Sequence, residues 1–243
     1  MLFLWEEVLL WSPNLRIYSM GRSKLDKFKD NELSRYVVQP GKEIFEQIKG
    51  NWRNLYFKNE NDLILELACG RGEYTIGLAR KFPERNFVGV DIKGPRIWRG
   101  MMIAEEENLI NSGFLRGHIQ NLQEYFDTDE VDEIWITFPD PRPKGRDERR
   151  RLTHPRFLEI YRNILKPGGK VYLKTDNPDL FEYSQEVLSS IKDIDELTYT
   201  LDLYNSDLLS EHYGIQTTYE KQYLEEGIKI KYLRFRFNNN GRA

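Results

Sequence analysis

One carboxylate and a dense group of cations share the segment Phe138 to Leu152, F-P-D-P-R-P-K-G-R-D-E-R-R-R-L. Prolines at 139, 141 and 143 each fix φ near one value and remove a backbone donor, so Asp140 sits in a stiff stretch that cannot continue a central strand. Arg142, Lys144, Arg146, Arg149, Arg150 and Arg151 follow, broken only by Asp147 and Glu148, and cations at that density suit phosphate oxygens. Charge runs alone are usually solvated faces. An acid held rigidly before this one points to chemistry on a nucleic acid.

A second constellation is E-L-A-C-G-R-G, Glu66 to Gly72, between a β-rich run and a helical one. Gly70 and Gly72 let the backbone turn tightly and approach a ligand, and the helix N-terminus that follows favours negative charge. The dinucleotide pattern G-x-G-x-x-G is not met, because Thr75 stands where its third glycine belongs. Asp91 lies nineteen residues beyond Gly72 at the end of the next predicted strand, where an acid can accept from both hydroxyls of a ribose. Glu66 would repel a pyrophosphate but can accept from an ammonium, which favours S-adenosylmethionine over a nicotinamide dinucleotide. The next strand ends in R-G-H-I-Q-N, placing His118, Ile119 and Gln120 near an adenine: an apolar face from Ile119, a hydrogen bond from Gln120. A strand-end acid is often only a loop cap, and a structural role for His118 is at least as well founded as a cofactor contact.

The elements that must position these groups alternate. Strands are predicted at 62–67, 86–91, 113–117, 131–138 and 169–175, and helices at 73–82, 95–109, 121–126, 154–165 and 178–191, the last but one stopped by Pro167-Gly168-Gly169. This is the pattern of a mostly parallel sheet covered on both faces. The runs 195–203 and 228–237 alternate polar and apolar residues and are expected to pair antiparallel at one edge, completing seven strands. Between them, 204–226 reads as a helix-and-loop insertion near the strand ends.

With 243 residues, 40% hydrophobic and 31% charged, the chain fits one globular domain with a short appendage. A net charge of −3 argues against indiscriminate coating of nucleic acid, so any such contact comes from a local basic patch. Cys69 is the only cysteine, which excludes an internal disulfide, and the three histidines show no zinc-ligand spacing. No apolar run approaches the roughly 20 residues of a membrane span. Residues 1–19 mimic a signal peptide only superficially, since Glu6 and Glu7 interrupt the apolar run and no small-residue cleavage site follows. Met20 then opens a basic segment, so 1–19 is expected to be a non-native upstream extension, 20–58 a basic arm and helix, and 59–243 the main domain. A cytoplasmic monomer is the simplest expectation, although the oligomeric state is not encoded in any motif.

From about Leu25 to Leu233 the chain resembles the bacterial tRNA (guanine-N7-)-methyltransferases, with the Rossmann-like α/β fold of class I methyltransferases. The resemblance is carried by E-L-A-C-G-R-G, by the F-P-D-P-R-P-K-G-R-D-E-R-R-R-L segment, by L-K-T-D-N at 173–177 and by T-T-Y-E at 217–220. It implies methyl transfer from S-adenosylmethionine to guanine N7 in the variable loop of tRNA. It also implies Glu66, Asp91 and Asp140 at the cofactor, Asp140 as catalytic residue, and Lys144, Asp176, Thr217, Thr218, Tyr219 and Glu220 at the substrate. The chain departs from the family pattern at Ala68, where glycine is usual, at Arg142, where tryptophan is usual, and at His118-Ile119, where an Asp-Ala pair is common.

Guanine N7 carries a free lone pair, so positioning should outweigh proton abstraction, with Asp140 stabilising the cationic purine and Asp176 sharing that role. Arg146, Arg150 and Arg151 would grip tRNA phosphates. D-N-P at 176–178 is equally a turn signal, and Thr217 with Glu220 equally a helix cap and its box residue. Two other readings stand beside this one. The first is a methyltransferase acting on an exocyclic amine or a small molecule; the second is a non-catalytic RNA-binding module, which gives no reason for Glu66, Asp91 and Asp140.

Overall fold

The computed structural model describes residues 22–238, so the proposed extension at 1–19 lies outside the described residues. In chain order the elements are α1 (Lys24–Leu33), β1 (Val37–Val38), α2 (Glu43–Gln47), a π-helical turn (Trp52–Phe57), β2 (Leu63–Leu67), α3 (Glu73–Lys81), β3 (Asn86–Asp91) and α4 (Gly94–Glu106). Then come β4 (Ser112–Arg116), α5 (Leu122–Tyr125), β5 (Val131–Thr137), α6 (Pro155–Ile164), β6 (Leu165–Thr175), α7 (Pro178–Ser190), β7 (Ile194–Thr200), α8 (Thr218–Glu225) and β8 (Lys231–Phe237).

One sheet runs β1-β4-β3-β2-β5-β6-β8-β7, parallel except that β8 is antiparallel to both β6 and β7. Every predicted strand is present, including the antiparallel pair at the C-terminal edge. The eighth strand, β1, is two valines paired parallel with Phe114 and Leu115, too short to leave a period in the sequence. Pro167-Gly168-Gly169 does more than stop a helix. It lies inside β6, where the pairing with β5 skips from Val131↔Leu165 to Glu133↔Lys170, so the glycines form a bulge (Gly168 φ +81°).

Alternate side chains of the central strands divide into two apolar layers. Leu63, Leu65, Leu67, Ile134, Ile136, Val171 and Leu173 face α5, α6 and Trp52. Ile64, Trp135 and Tyr172 face Tyr74 of α3 and the segment after β7, with Trp135 and Tyr172 stacked at 4.1 Å. Burial on both faces is why β2 and β3 read as near-continuous apolar runs. The N-terminal segment is stitched into the same body, because Asn31 donates to the Gly94 carbonyl (2.8 Å) and Trp98 to Asp30 (2.9 Å). Strand order reverses between β2 and β5, so their C-terminal ends open the crevice where ligands bind in sheets of this kind.

Candidate active site

A cavity of about 210 Å³ occupies that crevice, walled by Glu66 and the glycine turn on one side, Thr137 and Phe138 on another, and Thr217–Tyr219 across the mouth. Glu66 is 2% exposed. Its carboxylate accepts from the Thr75 amide (2.8 Å), the Thr75 hydroxyl (2.5 Å) and the Thr137 hydroxyl (2.6 Å). Burial pushes its pKa up to about 7 against the pull of those donors, and the neighbouring Glu73 carboxylate pushes in the same direction as burial. A carboxylate has about four acceptor positions, and three are filled. One remains for a donor in the cavity, and a cation there would restore the ionised form.

The turn after β2 is shaped by left-handed backbone at three alternate positions, Ala68 (φ +57°), Gly70 (φ +58°) and Gly72 (φ +72°). Ala68 therefore carries strain that glycine would not. The two glycines have different duties. A Cβ at Gly70 would meet nothing nearer than 4.0 Å, leaving open room for a ligand, whereas one at Gly72 would lie 2.4 Å from the Phe114 ring. Gly72, expected at the cofactor, also has a packing duty against Phe114 and forms the N-cap of α3. Asp91 accepts from the Gly70 amide (3.0 Å) and the Lys93 amide (2.8 Å), fastening the glycine turn to the end of β3. Two acceptor positions are left for a ribose.

At the predicted adenine end, β4 pairs Arg116 with Asp91, so His118 and Ile119 emerge two and three residues past that partner. His118 and Gln120 are exposed, while Ile119 is half-buried against the main core. Neither His118 nor Ile119 walls the cavity that holds Glu66.

Asp140 departs from the expectation that it lines the pocket. Phe138 turns outward with φ +48° and Pro139 is buried, which delivers Asp140 to the surface. Its carboxylate accepts from the Arg142 amide (3.1 Å) and lies 3.4 Å from the Arg142 guanidinium. It stands two residues outside the cavity wall formed by Phe138.

Cations of the following loop divide into two groups. Arg151 stacks 4.3 Å from the Tyr183 ring and donates to the Arg142 carbonyl (3.3 Å), so it fastens the loop to α7. Arg150 pairs with Asp147 at 3.2 Å. Lys144, Arg146 and Arg149 are exposed, and among the described residues no carboxylate lies within ion-pair range of them.

Asp176 is partly buried beyond β6, and burial raises its carboxyl above the ordinary range; its backbone carbonyl accepts from the Lys231 ammonium (3.0 Å). Asn177 caps α7 by accepting from the Leu180 amide (2.8 Å), so the turn reading of D-N-P is realised there. Thr217 caps α8 by accepting from the Glu220 amide (3.2 Å). Thr218 donates its amide (2.9 Å) and its hydroxyl to Glu73, bridging α3 and α8 across the mouth. Tyr219 is 56% exposed. Glu220 cannot touch a polynucleotide as expected, because it is fully buried in an ion pair with Lys174 at 2.7 Å.

Residues 60–233 match the family model described as a putative methyltransferase. The chain is 52% identical over 220 residues to a tRNA (guanine-N(7)-)-methyltransferase of Cytophaga hutchinsonii, covering 90% of this chain and 99% of that one. Against the enzyme of that name from Bacteroides thetaiotaomicron it is 40% identical, covering 91% and 88%. The chain belongs to the tRNA (guanine-N7-)-methyltransferase family. Solved structures similar in fold include the 16S rRNA methyltransferase KamB (TM-score 0.55, 15% identity, 80% of this chain and 92% of that one). Another is a 30S ribosomal methyltransferase from an uncultured bacterium (TM-score 0.50, 19% identity, 74% and 90%).

Several groups at the site of this tRNA (guanine-N7-)-methyltransferase family member escaped the sequence reading. Thr137 adjoins the F-P-D segment and Glu73 follows Gly72 directly, so both were within reach of local inspection. Arg71 and Arg96, which also border the cavity, carry no distinguishing local pattern. Lys174 sits inside the L-K-T-D-N motif, yet nothing local distinguishes a buried ammonium from a solvated one. Among the described residues no helix is long and apolar enough to cross a membrane, and no cluster of His, Cys, Asp and Glu stands ready for a metal.

Proposed function

We propose that the protein transfers a methyl group from S-adenosylmethionine to guanine N7 in tRNA, at the variable loop, with the cofactor held in the crevice between β2 and β5. The observation that carries this reading is Glu66, a carboxylate that is nine-tenths buried, three-quarters satisfied and aimed at a cavity suited to a cation. The residues fit the cofactor: Glu66 has one acceptor position for its ammonium, Asp91 two for its ribose hydroxyls, and Gly70 leaves open space beside them. When bound, S-adenosylmethionine supplies a methyl group on a sulfonium sulfur.

N7 needs no deprotonation, so the work of the chain is orientation and charge. Asp140 follows the cavity wall at Phe138 by two residues, and release from Arg142 would let its carboxylate face a purine that becomes cationic on methylation. Asp176 directly follows β6, its desolvated carboxyl suited to accept from the guanine edge. Lys144, Arg146 and Arg149 offer uncommitted charge to phosphates. Thr218 and Tyr219 present a hydroxyl and a ring across the mouth. The reading keeps 59–243 as the transferase domain and 20–58 as its N-terminal arm and helix, and expects a cytoplasmic enzyme, as a tRNA substrate requires.

Incubation with labelled S-adenosylmethionine and unmodified tRNA, followed by chemical cleavage at 7-methylguanosine, reports reaction and position together. Cleavage at one variable-loop guanine is expected. Label recovered only as an exocyclic methylguanosine, or no transfer, would overturn the assignment.

A further inference from the structure

Lys174, the penultimate residue of β6, is fully buried, and its ammonium is enclosed by residues from α3, α8 and the segments that lead into the crevice. Its Nζ lies 2.7 and 2.9 Å from the two Glu220 oxygens and 3.4 Å from the Ile215 carbonyl. The same nitrogen sits 5.0 Å over the Tyr74 ring of α3 and 5.9 Å over the Phe138 ring. Through its own carbonyl Lys174 accepts from the Phe138 amide (2.8 Å), two residues before Asp140. Glu220 in turn accepts from the Tyr204 hydroxyl (3.0 Å), which accepts from the Gln216 amide nitrogen (2.9 Å). Tyr219, the residue before Glu220, borders the cavity.

We propose that the Lys174–Glu220 ion pair is a positioning device that fixes the Thr217–Tyr219 turn against the Phe138–Asp140 exit, and so aligns the substrate guanine with the methyl donor. The inference rests on the transfer reaction proposed above. Stability is a poor explanation for such a pair. Desolvating two charges offsets most of their attraction, and an apolar pair of similar volume in such a place is often as stable or more so. What an apolar pair lacks is direction. Three ammonium donors shared between a carboxylate and a carbonyl admit one register of the turn against β6, whereas packed methylenes admit several.

A structural role and a positioning role separate in the double variant Lys174→Met with Glu220→Leu, which removes both charges while filling the space. Expected are a melting temperature at or above wild type, S-adenosylmethionine affinity by calorimetry within about threefold, and kcat on tRNA reduced at least tenfold. Glu220→Gln, close to isosteric, is the second variant should the double one not fold, with the same loss of kcat and retained cofactor affinity at pH 7. Wild-type kcat in either folded variant would overturn the positioning role. So would a loss of cofactor affinity equal to the loss of kcat, because the pair would then serve the cofactor end. Wild-type enzyme that forms no 7-methylguanosine under the same conditions overturns the transfer reading and this one with it, whereas active wild type beside unaffected variants removes the pair alone.

Discussion

The two ends of the crevice are built on opposite principles. At the inner end Glu66 is 2% exposed and held by three short hydrogen bonds from Thr75 and Thr137. At the outer end Asp140 is 59% exposed at its side chain, where it meets Arg142, two residues away. A buried acid with fixed partners is preorganised for one small cation. An exposed acid among uncommitted cations costs little to redirect, which suits a large polyanion that must arrive, seat its base and leave. Cofactor binding should therefore depend on the interior, and tRNA binding and turnover on the loop.

The largest expected effect is at Asp140. Asp140→Ala should lower kcat on tRNA by about a hundredfold or more while calorimetric S-adenosylmethionine affinity stays near wild type. A parallel loss of affinity would place Asp140 with the inner acids and blur the comparison. Next is Glu66→Gln, expected to weaken S-adenosylmethionine roughly ten- to a hundredfold. That variant has a second signature. Folded Glu66 titrates near 7 and the unfolded chain near the ordinary glutamate value, so the folded state holds the extra proton between them. Stability of the cofactor-free wild type should thus fall as pH rises through that window, and Glu66→Gln should remove this slope in thermal melts.

Lys144→Ala with Arg146→Ala should raise KM for tRNA about tenfold and flatten the salt dependence of binding by roughly one to two in log–log slope, with cofactor affinity unchanged. Arg151→Ala should act differently from that pair. Its loss frees the loop from Tyr183 and the Arg142 carbonyl, so proteolytic susceptibility around 142–151 should rise even without RNA. The smallest effect is Ala68→Gly. Relief of the left-handed strain is opposed by greater unfolded-chain freedom, and the melt should show a net change of about 1 kcal/mol or less.

What was legible in the sequence follows the same division. Gly70, Asp91, the proline cage and the Thr217 cap each announce themselves within a few residues, because turn geometry and strand-end position are local properties. Their partners are not local. Thr218 reaches Glu73 across 145 residues of chain, and Lys174 reaches Glu220 across 46. No spacing rule marks those pairs, and T-T-Y-E therefore read as one substrate strip when its last member points into the core. The packing demand on Gly72 was invisible for a related reason: its ring neighbour Phe114 comes from β4, two strands away from β2. The proline cage signalled a stiff backbone at Asp140, but not its exposure: the outward turn at Phe138 depends on a left-handed φ that no glycine signals.

Titration of S-adenosylmethionine into the wild-type protein and Glu66→Gln at pH 6 and pH 7.5 tests the inner end most directly. With a carboxyl near 7, wild-type affinity should rise roughly eightfold over that interval while the variant stays flat and weaker. Equal affinities in the two proteins at both pH values would contradict the claim that a buried carboxylate holds the methyl donor.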